Sequence, residues 1–249
     1  MLLVIRNDYR SICRYAAQQI AAAIRQRPHC VLGLATGSTP LGVYRELIRI
    51  HKKEGLDFSQ VQTFNLDEYV GLPKNHDQSY FYFMQKYFFD HINIHPLSIH
   101  IPDGMVDDLE AECLHYEEQI LETGGIDLQL LGIGSNGHIA FNEPFSSLGS
   151  RTRIKTLTEK TRRDNARFFK TMKEVPKYAI TMGVGTIMDS RKIILMATGK
   201  QKANAIKTTV EGPITARVPA TIVQIHPYAT ILIDQAAASK LTQALKIAE

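Results

Sequence analysis

The sequence predicts an α/β fold: a mostly parallel sheet with helices on both faces, a Rossmann-like open sandwich. Three observations carry this. Short apolar runs alternate with amphipathic stretches along all 249 residues. Several runs are apolar throughout, as strands covered on both faces are. Each unusual loop comes directly after such a run, where open α/β sheets place their ligands.

In order, "LLVI" (residues 2–5) reads as a strand, and Ile12, Ala16, Ile20 and Ile24 recur at helical spacing within a helix over 8–26. "CVLGLA" (30–35) is a buried strand, followed by "TGSTP" and a helix over 40–53. "VQTFNL" (61–66) is a strand that leads into the loop "DEYVGLP". Residues 78–89 and 106–122 are helical, and "DLQLLGIG" (127–134) is a strand. "RTRIKTL" (151–157) is extended, and the polar, arginine-rich residues 159–170 are helical. "YAITMG" (178–183) and "KIILMATG" (192–199) are strands. "KQKANAIKTTVEG" (200–212) is a helix closed by Gly212, "ATILID" (229–234) the last strand and 235–248 the last helix. With no internal repeat, linker or low-complexity tract, residues 1–249 read as a single domain.

Composition narrows the function classes. Apolar residues make up 44% and charged residues 22%, an ordinary globular balance. The net charge of +4 comes without a run of lysine and arginine, which argues against nucleic acid and suits an anionic small substrate. Cys13, Cys30 and Cys113 are odd in number and form no CxxC pair, so they read as buried thiols in a reducing compartment. No apolar run is long enough for a membrane span, and "MLLVIRNDYR" is charged too early for a signal peptide, so a cytoplasmic location is expected.

Four loops can carry chemistry. In "LATGSTPLGVY", Gly37, Ser38 and Thr39 lead into a helix, with Thr39 as cap and Pro40 in the first turn. Backbone N–H groups there form a phosphate site, or else a plain capped turn. In "TFNLDEYVGLP", Asp67 and Glu68 can be a base, a metal ligand or a cap. In "GIGSNGHIAFNEP", Gly132, Gly134 and Gly137 match GxGxxG, but neither a helix nor a suitably spaced acid follows, which disfavours a dinucleotide. His138 with Glu143 five residues on instead suits proton transfer. In "ATGKQKANA", Lys200 and Lys202 stand at a helix start, where cations are disfavoured unless an anion binds. Arg162, Arg163 and Arg167 extend that anion site or form an exposed helix face.

Together "FNLDEYVGL", "GHIAFNEP", "SRTRIKTLT", "VPKYA" and "GVGTIMD", in this order, resemble the glucosamine-6-phosphate deaminase (isomerase) family over nearly the whole chain. The resemblance implies conversion of D-glucosamine 6-phosphate and water to D-fructose 6-phosphate and ammonia, with no metal and no organic cofactor. It implies Asp67 as the base between C2 and C1, His138 as the ring-opening acid–base, and Glu143 as its assisting carboxylate. Asn136 falls where many members carry an aspartate that orients the histidine. Phosphate binding would fall to Gly37, Ser38 and Thr39 with Arg167 and Lys202. Ser146, Arg153, Lys155 and Thr156 match an allosteric site for N-acetylglucosamine 6-phosphate in hexameric members. The tail that adds a tyrosine to that site has no counterpart after "LKIAE", which leaves regulation and oligomeric state open. The rival reading is a 6-phosphogluconolactonase-like hydrolase of the same fold, against which "DEYVGL" and "NEP" speak. A non-catalytic sugar-phosphate sensor would not need Asp67, His138 and Glu143 together.

Overall fold

A computed structural model of the chain describes residues 1–166, 169 and 171–242. The elements are β1 (Leu2–Arg6), α1 (Tyr9–Gln26), β2 (Val31–Leu34), α2 (Leu41–Glu54), β3 (Gln62–Asn65), β4 (Asp67–Tyr69), α3 (Tyr80–Tyr87) and β5 (Ile99–His100). There follow α4 (Leu109–Glu122), β6 (Leu128–Gly132), β7 (Arg153–Thr156), α5 (Glu159–Ala166), β8 (Tyr178–Thr181), α6 (Val184–Met188), β9 (Ile193–Ala197), α7 (Ala203–Glu211) and β10 (Ala229–Asp234).

The large sheet has seven strands in the order β1-β10-β9-β6-β2-β3-β5, and every pairing in it is parallel. Side chains on a strand alternate between faces, and here both faces are apolar. Leu32, Leu34, Leu130, Ile194 and Met196 pack under Ile12, Ile20, Val43 and Leu47 of α1 and α2. Val31, Leu131, Ile193, Leu195 and Ile231 pack under Tyr116, Ile187 and Ile206 of α4, α6 and α7. The expected three-layer α/β architecture is thus what the chain adopts. After β2 the chain steps outward to β3 and β5, then returns to the other side of β2 as β6. That reversal opens a crevice between the carboxyl ends of β2 and β6.

Several expectations need correction. "DEY" is not loop but β4, which pairs antiparallel with β8. β8 in turn pairs with β7, so "YAIT" lies in a separate three-stranded sheet rather than the large one. Leu66 joins the two sheets: its N–H donates to Leu34 O, and its carbonyl accepts from Met182 N. Thr39 does not cap α2: Pro40 is the N-cap, without a side-chain bond, and the Thr39 carbonyl accepts from the Tyr9 hydroxyl. Residues 200–212 split into a 3-10 turn at Lys200–Lys202 and α7. Of the helix expected over 159–170, α5 covers Glu159–Ala166, and residues 167, 168 and 170 lie outside the described residues; of the last helix, expected over 235–248, the described part holds a 3-10 turn at Ala237–Lys240. There the Asp234 carboxylate takes Ala237 N–H and closes the turn against β10; residues 243–249 lie outside the described residues.

Candidate active site

The crevice is a cleft of about 780 Å³ whose lining includes Gly37, Ser38, Thr39, Asp67, His138 and Lys202. Three loops far apart in sequence, and one strand start, therefore meet at one sheet edge. Arg167 lies outside the described residues.

The β2 loop, Gly37–Thr39, lines this cleft. Gly37 sits at φ 95°, a conformation that favours glycine, although a side chain there would meet nothing. Among the described residues no acceptor takes the N–H of Gly37, Ser38 or Thr39. Tyr9 secures the loop from behind: its hydroxyl donates to the Ser38 and Thr39 carbonyls and accepts from Gly42 N–H. Lys202 reaches the same cleft and donates through Nζ to Ile133 O at 2.7 Å, at the end of β6. Lys200 is exposed and absent from the lining. Arg162 instead donates to Met172 and Val175 carbonyls, and Arg163 pairs with Glu159 on the surface, so neither extends the anion site.

Asp67 and Glu68 divide the options the sequence left open. Neighbours on a strand point to opposite sides. Glu68 accepts from Tyr69, Tyr80 and Phe81 backbone N–H, and so caps α3. Burial pushes its carboxyl up to about 7, against the pull of those three donors. Asp67 faces the cleft, and no hydrogen-bond donor among the described residues reaches its carboxylate. Burial first, and the Glu68 charge second, push Asp67 up to about 8. A carboxylate held this way is a stronger base than a solvated one. Tyr69, Tyr80, Phe141 and Phe169 form the apolar wall of the same cleft.

The loop after β6 runs through turns and opens no helix. Gly134 N–H donates to His138 O, and Gly137, at φ 84°, turns the chain between them. A Cβ on Gly134 would stand 2.2 Å from His138 Cε1, so glycine there makes room for the imidazole. His138 Nδ1 is 2.7 Å from Asn136 Oδ1, and Asn136 Nδ2 donates to Glu143 Oε2 at 2.9 Å. This chain of bonds fixes the protons. A carboxylate only accepts, so the amide must present its NH₂ to Glu143 and its oxygen to His138. Nδ1 of His138 then carries a proton, and in the neutral imidazole Nε2 is the nitrogen with the lone pair. Glu143 Oε2 lies 3.8 Å from Nδ1, close enough to stabilise an imidazolium. Asn136 thus does an orienting task that a second carboxylate would do only with repulsion from Glu143.

Sequence reasoning missed the outer partners of this loop. Glu143 Oε1 accepts from the hydroxyls of Thr158 and Thr161. Asn142 donates to Ile139 and Met182 carbonyls, and its Oδ1 accepts from Arg153 Nη2 at 2.8 Å. Threonines in a polar helical stretch carry no signal that one hydroxyl turns inward. Ser146, Arg153, Lys155 and Thr156 are outside the cleft lining. Ser146 is buried, Arg153 and Lys155 half-buried, and Thr156 exposed. Cys13, Cys30 and Cys113 are free and buried, with thiols pushed up to about 11, 12 and 11 by desolvation, which makes them inert. Among the described residues no cluster of three metal-ligating side chains occurs, and no helix is long and apolar enough to cross a membrane.

The family of glucosamine-6-phosphate isomerases and 6-phosphogluconolactonases matches residues 8–232. A glucosamine-6-phosphate deaminase of Thermoanaerobacter pseudethanolicus is 55% identical over 239 residues, 96% of this chain and 94% of that protein. A solved structure described as a monomeric glucosamine-6-phosphate deaminase, a missing link of the NagB superfamily, superposes with a TM-score of 0.94 at 47% identity, covering 96% of this chain and 99% of the other. The 6-phosphogluconolactonase of Leishmania guyanensis shares the fold with a TM-score of 0.74 at 22% identity, covering 97% and 98%.

Proposed function

The chain belongs to the glucosamine-6-phosphate isomerase and 6-phosphogluconolactonase family, and from that premise we infer that it is the deaminase of the pair. It converts D-glucosamine 6-phosphate and water to D-fructose 6-phosphate and ammonia, a step in the breakdown of amino sugars. The observation that carries the reading is the meeting, in one cleft, of Asp67, a buried carboxylate with no hydrogen-bond donor among the described residues, and His138, whose Nδ1 is held by Asn136.

The mechanism follows from those two groups. The phosphate takes the free N–H groups of Gly37–Thr39 and the charge of Lys202, with Arg167 as a further cation. This aims the sugar ring at Asp67 and His138. His138 Nε2 takes the proton from the C1 hydroxyl and returns it to the ring oxygen, opening the ring; Glu143 steadies the transient imidazolium. The open aldehyde makes the C2 hydrogen acidic. The substrate's ammonium supplies the counter-charge that lets Asp67 ionise inside the cleft. Asp67 removes the C2 proton while the ammonium gives up one proton and O1 gains one by way of His138, and the return of a proton from Asp67 to C1 leaves an iminium at C2. Water then adds at C2, and ammonia leaves. Removing Lys202 takes away binding shared by the ground and transition states. Lys202→Ala is therefore expected to raise KM at least tenfold with little change in kcat, measured by steady-state kinetics; an unchanged KM removes Lys202 from the phosphate site.

We read residues 1–249 as one cytoplasmic α/β domain, the small sheet being an appendage of the large one. Ser146, Arg153, Lys155 and Thr156 are a second, regulatory anion site in this reading. Its support is that Arg153 is half-buried, pairs with no carboxylate among the described residues, and is bonded to Asn142 beside Glu143. One assay tests these points: ammonia from glucosamine 6-phosphate, with and without N-acetylglucosamine 6-phosphate, beside hydrolysis of 6-phosphogluconolactone. Ammonia release without lactonase activity is expected, and lactone hydrolysis without ammonia overturns the reading.

A further inference from the structure

We propose that Thr158 and Thr161 are positioning residues for His138, their hydroxyls fixing the Glu143 carboxylate and, through it, Asn136 and the imidazole. Glu143 is only 6% exposed, and both of its oxygens are engaged. Oε2 takes Asn136 Nδ2, and Oε1 takes the two threonine hydroxyls. The Thr161 hydroxyl proton goes to Oε1, and the single Thr158 proton, on an oxygen that accepts Thr161 N–H at 3.2 Å, is shared between Oε1 and Thr161 Oγ1, so Thr158 supports Glu143 both directly and through Thr161.

The arrangement matters because Asn136 can flip. With its amide turned over, NH₂ would face the His138 backbone N–H, and Oδ1 would face a carboxylate. The His138 N–H, which donates to Oδ1 at 3.2 Å, and a carboxylate held in place forbid that together. If Glu143 rotates away, the stronger, charged restraint is lost, the amide turns over in part of the molecules, and there the imidazole can carry its proton on Nε2 instead, where it blocks the first proton transfer. The donors that prevent rotation come from outside the catalytic loop. Thr158 follows β7, and Thr161 stands in the first turn of α5, laced to it by Arg162 N–H on the Thr158 carbonyl. Thr161 is also part of the cleft wall. The tautomer of His138 therefore depends on α5 being seated against the loop.

The kinetic part rests on the deaminase reading; the tautomer does not. The test is ¹⁵N NMR of histidine-labelled protein, with kinetics alongside, for Thr161→Val, Thr161→Ser and Thr158→Val. Wild type and Thr161→Ser are expected to show His138 protonated on Nδ1 alone. Thr161→Val is expected to show a mixture of tautomers, and kcat lower by roughly tenfold with KM within about twofold, the size of one lost bond to a charged group. Should Thr161→Val not fold, Thr158→Val carries the same readouts. A wild-type tautomer in the valine variants overturns the proposal, as does equal loss in valine and serine variants, which would mark packing rather than the hydroxyl. A wild type that releases no ammonia sinks the deaminase reading and leaves the NMR result to decide the rest.

Discussion

Asp67→Asn is expected to lower kcat by about 10²–10⁴-fold, leave KM nearly unchanged, and abolish exchange of the substrate's C2 hydrogen with solvent. Asparagine keeps the shape of the side chain and removes only the basic oxygen. Loss of exchange is the sharper readout, because it reports the C2 step alone. The pH profile gives an independent check. Asp67 must be ionised to act, and burial holds it at about 8 in the free protein, so kcat/KM should rise as pH rises through that value. Stability should move the other way. The folded-state value lies above the ordinary 3.8, so the native state binds an extra proton between 3.8 and about 8, and this group's contribution is lost as pH rises through that window. Asp67→Asn removes that loss. The variant should thus be at least as stable as wild type at pH 8 in thermal unfolding, while nearly inactive. A variant that is inactive because it is less stable would contradict the assignment.

His138→Gln is expected to cost a similar factor, about 10²–10⁴ in kcat, for a different reason. The glutamine NH₂ can donate to Asn136 Oδ1 as Nδ1–H does, but the amide cannot take up and return a proton. The defect should fall on ring opening. C2 exchange measured at saturating substrate should then fall together with ammonia release, because the open chain is not supplied. An acyclic hexitol 6-phosphate, which needs no ring opening, should bind this variant as it binds wild type. Weakened binding of that ligand would make His138 a binding residue instead.

The large sheet was legible because its strands are apolar on both faces, and periodicity reports that directly. The small sheet was not. β4 is three residues long and carries two acids, and β8 looks like any other apolar strand. Nothing in "YAIT" says that its neighbours are "DEY" and "RIKT" in antiparallel order. At the site, motif order brought out Asp67, His138, Glu143 and the Gly37–Thr39 loop, since each follows a strand end. What stayed hidden were groups whose task is set by direction alone. Glu68 caps a helix that starts twelve residues further on, and Thr161 turns its hydroxyl inward from a helix that reads as polar on every side. Asn136 was visible as a residue but not as a device. The bonds to Glu143 and to the His138 backbone N–H fix which end of the amide meets the imidazole, and so which nitrogen is the base.

The central claim is that Asp67 carries hydrogen from C2 to C1 while ammonia leaves. Its most direct test is turnover of glucosamine 6-phosphate deuterated at C2, with ammonia assayed and the sugar read by NMR. Ammonia and fructose 6-phosphate in equal amounts, with part of the deuterium at C1, is the predicted result. No ammonia, with the deuterium still at C2 of the recovered sugar, would contradict it.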